Sequence, residues 1–480
     1  MNDTPQFVLG ADAGTHGIRI LAMRLPDCHV AAKSAAQYHR VLANGIQELH
    51  AEALTEAFCK AMDELVLPPH AEIKAIGITH QRGTLFPVDA TGKALASAFC
   101  DSDERAADAA EYLKAGIDSA AYYRNSGCPI VSFNGFSKIL WCRENLPKLF
   151  AEAKAWLSPQ DYLLTMLSGQ LQISEGSALR GGFLNVRTRK IWTELLPEWK
   201  GQNLNCTPVG ESCGTVSAAW AERWPALRHA KLVAVPGDQP AAVLGCGTGM
   251  ESVAINLGTT FVASMIAEQP VLDPSAMITT EVLPCNAYSP EFGTGAGGQF
   301  MDLLMTLMGA GGDPERWSRL EREADALPIG AEGLRIVPLL WQVTSAGIEG
   351  RISGLRPFQT QGHLMRAAYE GLAYETRLSV ERLWSCVDQK IQTIRVFGGL
   401  STSELFLKIL ASVMALPIEA AMEQQSSAVG AGLVCMLALH EYTDLDELRN
   451  AVGKPRCVVH PDREMTELYE REFQSYCEWR

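Results

Sequence analysis

The sequence contains no glycine-rich run ending in Gly-Lys-Ser or Gly-Lys-Thr, which excludes a P-loop as the means of holding a nucleotide. It has no Cys-x-x-Cys pair. Its 13 cysteines are odd in number and scattered, which argues against a disulfide frame or a zinc site and fits reduced thiols in a cytoplasm. It is poor in positive charge: 41 Lys and Arg against 55 Asp and Glu leave a net charge of −14. That balance disfavours nucleic acid or an anionic membrane as the main partner, and any phosphorylated ligand must meet local basic groups. No apolar run approaches the length of a membrane span, and the first residues lack the basic and apolar blocks of a secretory signal.

What remains is a chain of 480 residues, 47% hydrophobic and 20% charged, suited to two or three domains. Its organising stretch is Val8–Ala22, VLGADAGTHGIRILA, which predicts strand, tight turn, strand. Gly14 is expected to supply the positive φ such turns often need. Backbone N–H groups at the turn and the Thr15 hydroxyl can hold phosphate oxygens. Asp12 stands where a carboxylate can hold Mg²⁺, directly or through water. The plain alternative is a β-hairpin with an ordinary Asp-x-Gly turn. An echo follows about half a chain later: Val253–Ala263, VAINLGTTFVA, puts Gly258-Thr259-Thr260 between two apolar strands. Two halves, each with such a hairpin, predict a nucleotide held between two similar domains.

Other segments fill in the pattern. Ile73–Thr79 reads as a buried strand running into His80-Gln81-Arg82-Gly83-Thr84, polar groups placed to line a cleft. Arg82 equally suits a salt bridge there. Asp101, Asp103 and Arg105 stand at the start of a helix, where acidic groups also serve the helix dipole. Ala155–Gly169 predicts a strand, then a helix capped by Ser158 with Pro159 at its first position. Ser174–Ala178 reads as a polar turn. Lys231–Val235 is a strand broken at Pro236-Gly237, after which Asp238 opens a helix. Asp238 suits an N-cap, and from a strand's carboxyl end it can also accept a proton from a substrate hydroxyl. In the second half, Met277–Asn286 reads as extended. Gly293–Gln299 is a glycine-rich turn before a helix, and a strand ending at Gly398-Gly399 precedes another helix. Such a strand–Gly-Gly–helix can seat adenine or ribose close to backbone.

In this order the pieces resemble the FGGY family of carbohydrate kinases along essentially the whole chain. Asp12-Ala13-Gly14-Thr15 is similar to the family's first phosphate motif and Lys138-Ile139-Leu140-Trp141 to its Lys-x-x-Trp segment. Gly237-Asp238-Gln239 resembles the segment carrying the catalytic Asp, Gly258-Thr259-Thr260 the second phosphate motif, and Gly398-Gly399 with Ser401 and Ser403 the adenosine motif. The most specific match is Gly350–Glu370, GRISGLRPFQTQGHLMRAAYE, which fits the family signature at every defined position.

The resemblance implies an α/β fold of two actin-like, ribonuclease H-like domains around a central cleft for ATP and sugar. The expected division is residues 1–248, binding the sugar and carrying the catalytic Asp, and residues 249–480, binding ATP. It implies Asp238 as general base and Asp12 as the residue placing Mg²⁺. Gly14, Thr15, His16, Gly258, Thr259, Gly295, Gln299, Gly399 and Ser403 are implied nucleotide contacts. Gln81, Arg82, Asp103, Asp238 and Gln239 are implied substrate contacts. His16 replaces the family's usual Thr or Ser, and Asp101 stands where the family often has Trp. Gln81-Arg82-Gly83 is neither the Gln-Met-His-Gly of xylulose kinases nor the Gln-Arg-Glu of glycerol kinases. The expectation is a cytoplasmic, ATP- and Mg²⁺-dependent kinase, dimeric if the commonest assembly holds, acting on a primary hydroxyl of a ketopentose such as xylulose. The alternatives are a glycerol- or erythritol-type polyol kinase and a sugar-binding sensor with weakened turnover.

Overall fold

The structure is a computed structural model that describes residues 4–43, 45–192, 206–273, 278–340 and 349–480. The expected extended segment Met277–Asn286 lies partly outside these residues. The chain forms two compact units. The first comprises residues up to Gly247 together with Ala267–Pro290 and Gln425–Val452. The second comprises Thr248–Ile266, Glu291–Gln424 and Gly453–Arg480.

The first unit is built on a six-stranded sheet. Gln6–Ala13, Gly17–Arg24 and Val30–Gln37 form an antiparallel meander. Glu72–His80 joins Gln6–Ala13 in parallel, Lys231–Val233 joins Glu72–His80 in parallel, and Ser212–Thr215 closes the edge in antiparallel sense. Leu9, Ile18 and Ile76 are fully buried here. Each such side chain contributes about 1.5–3 kcal/mol by leaving water. The runs are apolar on both faces because helices cover the sheet. Ala51–Glu64 packs on the meander and Ser426–Ala438 on Gln6–Ala13.

The second unit repeats this plan. Ser252–Leu257 pairs with Phe261–Ser264, which pairs with the Glu291–Gly293 end of Tyr288–Gly293. On its other side Ser252–Leu257 is parallel to Thr393–Phe397, itself parallel to Ile418–Ala420, and Cys457–Val459 closes that edge in antiparallel sense. The succession of directions matches that of the first unit strand for strand. The fold is therefore mixed α/β with a duplicated two-domain plan.

Several local expectations meet correction. Gly14 is not among the glycines with positive φ. Glu175–Arg180, which overlaps the stretch Ser174–Ala178 read as a polar turn, is a short buried helix. The helix before residue 245 starts at Asp238 with Gly237, not Asp238, as its N-cap. By contrast, Pro159–Ser168 is capped by the Ser158 side chain, which accepts from the Asp161 N–H, and ends at Gly169 in the left-handed conformation. None of the 13 cysteines is joined in a disulfide. Among the described residues no helix is long and apolar enough to cross a membrane.

Candidate active site

Three parallel strands of the first unit end at the same edge of its sheet: Gln6–Ala13, Glu72–His80 and Lys231–Val233. Polar groups just beyond the carboxyl ends of such strands meet at one place. The first strand delivers Asp12, the second delivers Gln81 and Arg82, and the third, through Pro236-Gly237, delivers Asp238 and Gln239.

Asp238 is the first residue of its helix. Its Oδ1 accepts from the Gln239 N–H at 2.8 Å and from Arg82 Nε at 3.0 Å. Among the described residues its Oδ2 has no protein donor within hydrogen-bond reach, and it is left for a ligand. Burial raises the Asp238 pKa above the ordinary aspartate range, and the Arg82 guanidinium opposes that rise. Gly237 matters because a Cβ there would lie 2.5 Å from Arg82 Cγ. The glycine lets the arginine stem cross close to the backbone. Arg82 Nη1 in turn donates to Glu281 Oε1 at 2.6 Å, and Arg180 Nη1 stands 3.4 Å from the same oxygen.

Asp12 is recessed beside this group, its side chain 14% exposed. Its Oδ2 lies 3.6 Å from Arg19 Nη1, while its buried Oδ1 has no hydrogen-bond partner. Its pKa is pushed up to about 7, first by burial and then by the negative charge of Asp238, against the pull of Arg19. A buried carboxylate with an orphan oxygen and a like-charged neighbour fits a divalent cation. Among the described residues no cluster of three or more His, Cys, Asp or Glu offers a closed metal cage. The donor set therefore suits Mg²⁺ that keeps water and phosphate oxygens as its other ligands.

The loop after the second strand is held from beneath. Lys138, only 1% exposed, donates Nζ to the Gly83 carbonyl at 2.5 Å and lies 3.3 Å from Phe133 O and 3.4 Å from Asp101 O. Burial lowers its pKa to about 7. Gln81 Nε2 donates to Asp101 Oδ1 and to Thr84 Oγ1. The same Asp101 oxygen takes Arg40 Nη1 at 2.8 Å. Asp103 has a different setting: its carboxylate is committed to the Arg105 guanidinium and to the N–H groups of Arg105 and Gln47. Asp103 is 2% exposed. Of the two aspartates, the partly exposed Asp101 has the carboxylate accessible to a ligand.

Gly14, Thr15 and His16 form the turn after the first strand, with Thr15 and His16 exposed. Gly14 N–H donates to Gly17 O at 3.0 Å, and the Tyr38 hydroxyl donates to Gly14 O.

In the second unit the counterpart turn, Gly258-Thr259-Thr260, is locked to two glycine segments. Gly298 N–H donates to Gly258 O at 2.8 Å and Gln299 N–H to Thr259 O at 3.0 Å. A Cβ on Gly297 would lie 2.5 Å from Thr259 O. Gly398 has φ 92° and would place a Cβ 2.9 Å from Gly258 N. Gly295 precedes the helix Gly298–Leu307, also with positive φ, and Thr259 and Gln299 are exposed. With the helix's first N–H groups spent on carbonyls of the turn and of Gly297, it is the turn itself, with Thr259 exposed, that suits phosphate oxygens.

Beside this lies a cavity of about 760 Å³ lined by Gly311, Gly312, Trp317, Glu321, Gly399 and Ser403, among others. Its volume falls within the range of small-molecule pockets. Ser403 caps the helix Glu404–Met414 by accepting from Phe406 N–H, and its hydroxyl also meets Glu321 Oε1. Trp317 and Glu321 belong to the helix Pro314–Asp325, which the sequence reading passed over. Its apolar stripe is narrow, with only Leu320 and Ala324 buried. Glu281 and Arg180 were also missed, because neither stands in a motif or near Asp238 in the sequence.

Residues 7–245 match the N-terminal domain of the FGGY family of carbohydrate kinases, and residues 253–439 match its C-terminal domain. The chain belongs to that family, and with it to the ATP-using enzymes that phosphorylate sugars and polyols. It is 24% identical to a xylulose kinase of Haemophilus influenzae, the alignment covering 98% of each chain. It is also 24% identical to a glycerol kinase of Acidiphilium cryptum, over 79% of each chain. The fold superposes on the crystal structure of a gluconate kinase from Lactobacillus acidophilus with a TM-score of 0.88 at 20% identity, covering 99% of this chain and 98% of the other.

Proposed function

We propose that this kinase transfers the terminal phosphoryl group of ATP to a primary hydroxyl of a small ketose, a ketopentose such as xylulose first among them. The observation that carries the mechanism is the Asp238 carboxylate, anchored through Oδ1 with Oδ2 open and its pKa raised by burial. In that state Asp238 takes the hydroxyl proton as the sugar oxygen bonds to the terminal phosphorus. The bond from that phosphorus to the bridging oxygen breaks, and ADP leaves with the electron pair. A proton acceptor with a pKa nearer neutrality transfers protons more efficiently at physiological pH. Asp12 would hold Mg²⁺, which neutralises charge on the phosphates when bound. The Gly14-Thr15-His16 and Gly258-Thr259 turns, with Gly295 and Gln299, would face the phosphates. Gly399 and Ser403 would border the nucleoside.

In this reading residues 1–248 carry the sugar site and residues 249–480 the ATP site. Gln81, Arg82 and Gln239 would orient the sugar, with Asp101 taking the direct contact expected of Asp103. The ketopentose reading is supported by the alignment to a xylulose kinase over 98% of both chains, against 79% for the glycerol kinase. A polyol substrate is the second reading, favoured by Arg82 standing against Asp238.

The test is ADP release with Mg·ATP across pentuloses, hexuloses, heptuloses, aldonates and polyols. Xylulose should give the highest kcat/KM, with kcat on the order of 1–100 s⁻¹. A preference for glycerol or erythritol would install the second reading, and silence with ATP binding intact would favour the sensor.

A further inference from the structure

We propose that Glu281 is a positioning residue for Asp238, acting through Arg82; this rests on the reading of Asp238 as the base. Glu281 lies on the strand Thr279–Val282, far from the active-site motifs in sequence but within the same compact unit. It is 1% exposed. Its Oε1 takes Arg82 Nη1 at 2.6 Å, while Arg82 Nε reaches Asp238 Oδ1 at 3.0 Å.

The guanidinium is a rigid plane, so fixing Nη1 fixes the direction in which Nε points. The consequence is chemical. An unrestrained arginine beside a carboxylate prefers the two-pronged pair that occupies both oxygens. By holding Nη1, Glu281 sets the tilt of the guanidinium plane, and at that tilt Arg82 meets Asp238 through Nε and Oδ1 alone. Oδ2 is thereby left for the substrate proton. Arg180, 3.4 Å from the same Glu281 oxygen, adds a second cation to the array, and Glu281 offsets the charge that the two arginines would otherwise concentrate there. Glu281 touches neither the reacting hydroxyl nor the phosphate in this scheme; it sets the geometry of the group that does.

The experiment measures kcat, both KM values and melting temperature for Glu281→Gln, Glu281→Asp, Arg82→Gln, the double variant Glu281→Gln/Arg82→Gln and Asp238→Asn. The sugar is the one that turns over in the ADP-release panel. Glu281→Gln should lower kcat about 10- to 100-fold, as misplacement of a reacting group does, with the KM for ATP within about twofold of the parent. Glu281→Asp, which keeps the charge and changes the reach, should recover part of the loss. It also keeps the question open to measurement if the Gln variant melts early. If Glu281 acts through Arg82, the double variant is no slower than Arg82→Gln alone. Losses that multiply, or a Glu281→Gln kcat equal to the parent's, would overturn the proposal while Asp238→Asn remains inactive. Parent-like turnover in Asp238→Asn would remove the base itself, and the role of Glu281 with it.

Discussion

The two Gly-Thr turns share one topology and differ in how they are supported. The turn at Gly14 is open: a Cβ there would find its nearest neighbour at 3.7 Å, and Thr15 and His16 face solvent. The turn at Gly258 is enclosed by backbone, with Gly297, Gly298 and Gly398 pressed against it. In the first unit the constraint lies behind the turn, in the charged set Asp12, Asp238, Arg82 and Glu281. In the second unit it lies in the turn itself. A duplicated fold has put charged side chains in one copy and close backbone packing in the other. That suits proton transfer in the first and phosphate binding in the second.

The contrast breaks most sharply at Asp238. Asp238→Asn should lower kcat about 10²- to 10⁴-fold, the usual contribution of a general base, while ATP affinity measured by calorimetry is unchanged. If ATP affinity falls instead, the division of labour between the two units is wrong.

Asp12 gives the next effect, read as stability. Its pKa rises from 3.8 to about 7 on folding, so the folded protein binds more protons than the unfolded chain between those values. Stability from this group therefore falls as pH rises through that window, by at most about 4 kcal/mol. Asp12→Asn should raise the melting temperature of the ligand-free protein at pH 8. The gain should vanish near pH 3. The same variant should lose the Mg²⁺ dependence of nucleotide binding. A gain that persists at low pH would place its cause outside this titration.

Gly398→Ala tests the enclosed turn. The left-handed backbone and a Cβ 2.9 Å from Gly258 N oblige the turn to shift. The Kd for ATP should rise roughly 10-fold, since backbone strain of this kind is worth about 1–3 kcal/mol. Gly14→Ala is the smallest effect: with open space and no left-handed backbone, stability should stay within about 0.5 kcal/mol of the parent. A Gly14 variant as damaging as the Gly398 variant would show that the first turn is also tightly bound, through a ligand rather than through the fold.

Much of the molecule is legible in its sequence where the signal is local. The strand–turn–strand at Val8–Ala22 shows because its apolar runs are interrupted by turn residues. The helix Pro159–Ser168 shows because Ser158, Pro159 and Gly169 mark both of its ends. Glu175–Arg180 did not show as a helix: it is six residues long and buried all round, so it carries no amphipathic period. Pro314–Asp325 escaped for the opposite reason, being polar on most of its circumference. Gly14 carried the right residue for the wrong reason, since its turn closes without positive φ.

Sequence alone determined the two strand–turn–strand hairpins with their Gly-Thr turns, the parallel strands beside them, the candidate base Asp238 and, through ordered motifs, membership of a kinase family. These depend on neighbours in the chain, whose sterics and hydrogen bonds act over a few residues. Only the tertiary structure decided that Asp101 rather than Asp103 keeps an accessible carboxylate. It also decided that Asp12 has an orphan oxygen beside Asp238, and that Glu281 from the second half of the chain steers Arg82. Those outcomes turn on which charges are buried together, and burial pairs groups by distance in space, about which their separation along the chain says nothing.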